Sequence, residues 1–167
     1  MKLLYTEILD KVNKAESRKE RIEILRQHET RELRGWLKLA VNKNFDMGLP
    51  EGIPPYKKIT DKPIGYEHTL LENEYKKLYI WLQPNNLSKT KKENLFVQVL
   101  ESLHHIEADL LCHIKDHNLQ KKYPNIDEQL VVDAFFDRVD VNQLSVKTTL
   151  EKDKPKKRGR GRPRKEK

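Results

Sequence analysis

Apolar residues recur along most of the chain at helical spacing, in blocks separated by short polar joints. Leu4, Ile8 and Val12 stand at i, i+4 and i+8, which predicts a helix over Leu3 to about Asn13. Ser17-Arg18-Lys19-Glu20 has the spacing of a capping box, in which the serine oxygen and the glutamate each satisfy a leftover backbone N–H. It opens a second predicted helix with Ile22 and Leu25 inward, ending near His28. Thr30 is the expected N-cap of a third, whose Leu33, Trp36, Leu37, Ala40 and Val41 share a face. The period then stops. Residues 42–68 carry four prolines and three glycines and predict an irregular segment. Phe45, Met47, Leu49, Ile53, Tyr56 and Ile64 within it predict a strap laid across the helices rather than a solvated loop.

Helical spacing resumes with Leu71, Tyr75, Leu78, Trp81 and Leu82 and closes at Pro84-Asn85-Asn86. Thr90-Lys91-Lys92-Glu93 reads as a second capping box, followed by the strongest apolar stripe: Leu95, Phe96, Val99, Leu100 and Leu103. Ile106, Leu110 and Ile114 form a further face that ends before Asn118. Tyr123-Pro124-Asn125 predicts a turn, and Asp127 starts a last helix with Leu130, Val131, Ala134 and Phe135. The expected fold is all-α. A compact domain of about six to seven short helices spans residues 1–140, as a three-helix segment (1–41), the strap (42–68) and a second helical segment (69–137). Beyond about Asp140 polarity rises and aromatics vanish, which predicts a disordered basic tail over 141–167.

Charge sharpens the division. Of the chain's 167 residues, positions 147–167 hold eleven Lys and Arg against three acids, which accounts for the whole net charge of +8. The body is therefore neutral, and the basic segment is a dedicated one. A single cysteine, Cys112, excludes an internal disulfide and fits a reducing interior. The charged, amphipathic start predicts no signal or transit peptide, and no apolar run reaches the roughly 20 residues that span a bilayer. The expectation is a soluble protein that is not secreted and takes no membrane partner.

The tail carries the clearest chemistry. Arg160-Gly161-Arg162-Pro163 resembles the core of an AT-hook, the minor-groove peptide of high-mobility-group A and other chromatin proteins. Glycine without a Cβ lets the backbone approach the groove floor, and narrow A-tract grooves attract inserted arginines. Arg160 and Arg162 are the expected groove readers, with Gly159 and Gly161 giving clearance and Pro163 biasing Arg162 toward an extended backbone. Lys156, Lys157, Arg158, Arg164 and Lys165 suit phosphate contacts. The partner this implies is double-stranded DNA, preferably AT-rich.

The body carries a second likeness. The blocks TEILDKVNKAESRKERIEILRQHETRELRGWLKLAVN, LPEGIPPYKK and SKTKKENLFVQVLESLHHIEADLLCHIKDHNL occur in this order over residues 5–136. In this the chain resembles a family of small uncharacterised proteins encoded by large contractile-tailed bacteriophages. His105 stands where such proteins often have proline. The resemblance implies a phage protein acting in the cytoplasm of an infected bacterium, and no activity; a host or phage protein partner is a separate expectation for what the body binds.

Other constellations carry less. His104, His105, His113 and His117 sit close together in the sequence. His113 and His117 have the i, i+4 spacing of a helical metal pair, but a third ligand would have to come from His104 or Glu107, and the glutamate of a metalloprotease helix is lacking. They read as capping and surface histidines. Cys112 sits between Leu110, Leu111 and Ile114 and reads as a packed thiol. Lys89, Lys91 and Lys92 offer at most a second phosphate contact, and Trp36 and Trp81 stand at core spacing. There is no Gly-rich phosphate loop and no carboxylate cluster. The expected protein is a DNA-binding accessory factor, not an enzyme, with no metal or cofactor; the alternative is an interaction module working through Leu49–Lys58 with the tail as a general polyanion anchor.

Overall fold

The structure, a computed structural model, describes residues 3–60, 67–82 and 86–136. The basic tail, with every expected DNA-binding residue from Lys156 to Lys165, lies outside the described residues, as do Ile64 and the Pro84-Asn85 break. Among the described residues the regular structure is helical.

Three helices open the chain: α1 (Tyr5–Lys14), α2 (Arg18–Gln27) and α3 (Arg31–Val41). Their starts follow the polar signals. Ser17 Oγ accepts the Glu20 N–H at 3.2 Å. Thr30 Oγ1 accepts the Leu33 N–H at 3.0 Å and is bonded to the Tyr5 hydroxyl at 3.0 Å, so one threonine caps α3 and ties it to α1. The start of α1 uses Glu7, whose carboxylate accepts the Leu4 N–H at 2.8 Å. Its buried face is Tyr5, Ile8, Leu9 and Val12; Leu4, expected inward, is only partly covered because it sits at the cap position.

The second helical segment departs from its pattern in two places. The helix expected over 71–82 is broken into α4 (Leu71–Glu74), a 3-10 turn (Tyr75–Lys77) and α5 (Tyr79–Leu82). Bonds from the Leu78 N–H to Tyr75 O and from the Trp81 N–H to Leu78 O, both 3.1 Å, tighten the chain there. Distant partners hold its ends: the Trp36 indole donates to Leu71 O and the Trp81 indole to Lys92 O. Next, α6 (Lys89–Ser102) has its N-cap two residues before the expected one. Ser88 Oγ accepts the Lys91 N–H at 3.3 Å, and Thr90 falls inside the first turn. Serine caps at least as well as threonine, so the earlier residue wins and adds a half turn of helix.

Helix α7 (His105–Lys115) is the hub, packed against α1, α3, α4 and α6 and against the short α8 (Leu119–Lys122). It buries Ala108, Leu110, Leu111, Cys112 and Ile114, nearly all round, whereas Ile106 is only partly covered. Its C-terminus closes in a Schellman motif: the Asn118 N–H reaches His113 O and the His117 N–H reaches Ile114 O. His117 takes the left-handed conformation there, with φ 51°. The last helix, α9 (Glu128–Phe135), starts at Asp127, whose Oδ1 accepts the Leu130 N–H at 2.6 Å. It lies on α2 and α3, and the Arg26 guanidinium donates to the carbonyls of Asp133 and Ala134 in its last turn. Trp36 and Trp81 are both core residues.

Candidate functional site

From the end of α3 to Thr60, the strap is laid over α6 and α7. Asx turns start it, with Asn42 Oδ1 accepting the Asn44 N–H and Asp46 Oδ1 the Gly48 N–H. Met47 is 2 % exposed and plugs it into the core. Gly48 and Gly52 have φ values of 65° and 89°, which turn the chain where an L side chain would be strained.

Four ties then hold the strap, and each joins a strap backbone atom to a helix side chain. The Lys115 ammonium donates to Pro50 O at 2.6 Å. Asp116 Oδ2 accepts the Gly52 N–H at 3.1 Å. Glu101 Oε1, on α6, accepts the Lys57 N–H at 3.2 Å. His105 Nδ1 is bonded to Ile59 O at 3.1 Å, next to a parallel bridge between Ile59 and His104. Lys115 is 6 % exposed, and its ammonium also pairs with Asp116. A buried ammonium needs such partners, because an unpaired charge in the interior is costly. Tyr56 packs its ring inward between the second and third ties, and burial pushes its phenol up to about 12, so it stays neutral.

This arrangement leaves a groove of about 460 Å³ between the strap and α6. Phe96 and Val97 line it from α6 and Pro54 and Pro55 from the strap, and Glu51 and Glu93 add two carboxylates to the lining. The lysine in its lining, Lys115, is bonded to Pro50 O and its charge is balanced by Asp116, which leaves Glu51 and Glu93 as the lining carboxylates. Ile53, on the same loop, is 55 % exposed. An open, largely apolar channel with carboxylates in its lining suits an extended, positively charged segment.

The other sequence candidates resolve as structural groups. His104 caps α7, its Nδ1 accepting the Ile106 N–H at 3.4 Å; His105 holds the strap; His113 Nδ1 bonds Asn118 Oδ1 at 2.7 Å; His117 makes the helix-ending turn. They occupy opposite ends of α7 and do not converge. Burial pushes the Cys112 thiol up to about 11, far from a reactive thiolate. Lys89, Lys91 and Lys92 lie in the first turn of α6, the first two exposed.

Three buried charged groups escaped the sequence reading, among them Glu74, which pairs with Lys77 at 2.8 Å. Lys115 is the second, and the third is Glu107, 1 % exposed, whose Oε2 accepts the Leu71 N–H at 3.0 Å. Burial, with Glu67 and Glu72 nearby, pushes its carboxyl up to about 7 against the opposing pull of the Leu71 N–H. The signal was present: Glu107 falls in step with Leu110, Leu111 and Ile114 on the buried face of α7.

No described helix is long and apolar enough to cross a membrane. A model of the family of unknown function DUF6433 matches residues 8–121, more than half of the chain, and covers the strap, the groove and α7. No curated protein and no solved structure matches the chain.

Proposed function

Given that the chain belongs to the DUF6433 family, which comes with no assigned activity, we propose from its own residues that it is a DNA-binding accessory protein. The tail tethers the helical body to AT-rich double-stranded DNA. The observation that carries this reading is the charge distribution: a neutral body followed by a +8 segment with Arg160-Gly161-Arg162-Pro163 at its centre. Arg160 and Arg162 enter the minor groove as an AT-hook does, and the flanking Lys and Arg side chains neutralise phosphates. On the strength of the sequence resemblance above, the reading assigns the protein to a bacteriophage and to the nucleoid of the infected bacterium.

One hook binds weakly. Non-specific protein–DNA affinities run at roughly 10⁻⁴ to 10⁻⁶ M at physiological salt, so the body contributes a second contact that raises effective concentration. The groove beside the strap favours a second reading for the body, as a module that docks a host or phage protein while the tail anchors it to DNA.

Fluorescence anisotropy of the full chain on AT-rich and GC-rich duplexes, across a salt series, tests the first reading. Tighter binding to AT-rich DNA that is lost in the Arg160→Ala/Arg162→Ala variant supports it. Binding that is steep in salt and blind to sequence reduces the tail to a polycation. Full binding by the double variant sinks the hook.

A further inference from the structure

The groove and the tail are complementary, and we infer that the groove is the resting place of the tail's own basic run when no DNA is bound. The groove offers an apolar lining, Phe96 and Val97, and two carboxylates, Glu51 and Glu93. The neutral body has one region of chain with large opposite charge to offer it: Lys154–Lys165, which interleaves its cations with Pro155 and Pro163. Proline can lie against the apolar lining without leaving a backbone N–H unsatisfied, while lysine and arginine reach the carboxylates.

Reach is sufficient. Residues 137–153 separate the last described residue from the basic run; fully extended, seventeen residues span about 55–60 Å. A globular domain of this size has a radius of gyration of about 14 Å, so every face of the body is within range. The strap cannot recoil from its occupant, because four backbone ties to α6 and α7 fix its course. Attachment to the same chain makes the docking intramolecular, with an effective concentration on the order of millimolar. A contact too weak to matter between separate molecules is then occupied about half the time or more.

The consequence rests on the DNA-binding reading above: groove and DNA compete for the same cations. Neutralising the groove should tighten DNA binding about twofold to tenfold, since only the undocked tail is free to bind. The docking itself does not depend on that reading, which allows the two to be tested apart.

The experiment is zero-length carbodiimide cross-linking of the full chain without DNA, mapped by mass spectrometry, beside DNA titrations of the full chain and of Glu51→Gln/Glu93→Gln. The expected result is amide links from Glu51 or Glu93 to Lys154, Lys156, Lys157 or Lys165. They form within one chain at a rate independent of protein concentration and fade on addition of an AT-rich duplex, while the double variant binds DNA more tightly. Links spread over acids all round the body, or an unchanged DNA affinity in the folded double variant, overturn the inference. Links that grow with concentration overturn it in favour of a second copy's tail. Groove links in a chain that does not bind DNA uphold the docking and sink the DNA reading; tight DNA binding with no groove links does the reverse.

Discussion

The indole Nε1–H of Trp36 donates a hydrogen bond to the carbonyl of Leu71 at 3.1 Å, in a fully buried setting. The N–H of that same leucine is taken by Glu107 from the other side, at 3.0 Å. One residue of α4 is thus clamped by α3 and α7. Trp36→Phe keeps most of the packing but leaves the Leu71 carbonyl without its donor. We expect a loss of about 1–3 kcal/mol, read as a lower urea midpoint with an unchanged denaturant slope. A variant as stable as the parent would show that the bond contributes nothing.

Glu107 makes stability depend on pH. Its carboxyl titrates near the ordinary 4.5 when unfolded and at about 7 when folded, chiefly because burial disfavours the charge. Folding therefore favours the protonated form. The stabilisation from this group is complete below pH 4.5 and is lost as the pH rises through 7. Glu107→Gln keeps an oxygen for the Leu71 N–H and removes the charge. The difference in unfolding free energy between variant and parent should grow in the variant's favour from pH 5 to pH 8, by on the order of a few kcal/mol. A difference that stays flat over that range contradicts the assignment.

His117 ends α7 in a left-handed conformation that glycine adopts without a Cβ penalty. Its Nδ1 is also buried without a hydrogen-bond partner. His117→Gly should therefore raise stability by about 1 kcal/mol, seen as a higher melting temperature. A fall would mean that the imidazole packs more usefully than its backbone suggests.

Lys115 holds the strap through Pro50 and pairs with Asp116. Lys115→Met fills the space but leaves a carbonyl and a carboxylate without their cation. The Gly52 amide, which depends on Asp116, should lose hydrogen-exchange protection by about tenfold to hundredfold, in line with about 1–3 kcal/mol for a buried group left unpaired. The amides of α3 should be affected far less. Equal loss in both would mean that the strap and the body open as one.

These residues also mark how far the sequence could be read. Ser17, Thr30 and Asp127 announce their helices because a cap acts on N–H groups two or three residues away, inside the window that a pattern spans. Thr90 reads as the cap in place of Ser88 because Glu93, three residues on, completes its capping box, whereas Ser88 has Lys91 at that position. The break of the 71–82 stretch was not legible, since Trp36 and Lys92 pull on it from elsewhere in the chain. Glu107 stands in the buried register of α7, but its partner, 36 residues away, is brought in only by the fold. Lys115 looks like an ordinary surface charge until the strap carbonyl 65 residues away reaches it. The groove belongs to the same class: the apolar residues of the strap predicted that it would be laid down, but not the channel left beside it.

The strap's ties have one more consequence. All four use its main-chain atoms, at Pro50, Gly52, Lys57 and Ile59, and draw their specificity from side chains on the helices. The course of the loop is therefore largely independent of the side chains it displays between Met47 and Tyr56. Glu51, Ile53 and Pro54 can be rewritten while the path stays put. The loop is in effect a presentation scaffold, on which the chemistry lining the groove can change by substitution while the helices beneath remain as they are.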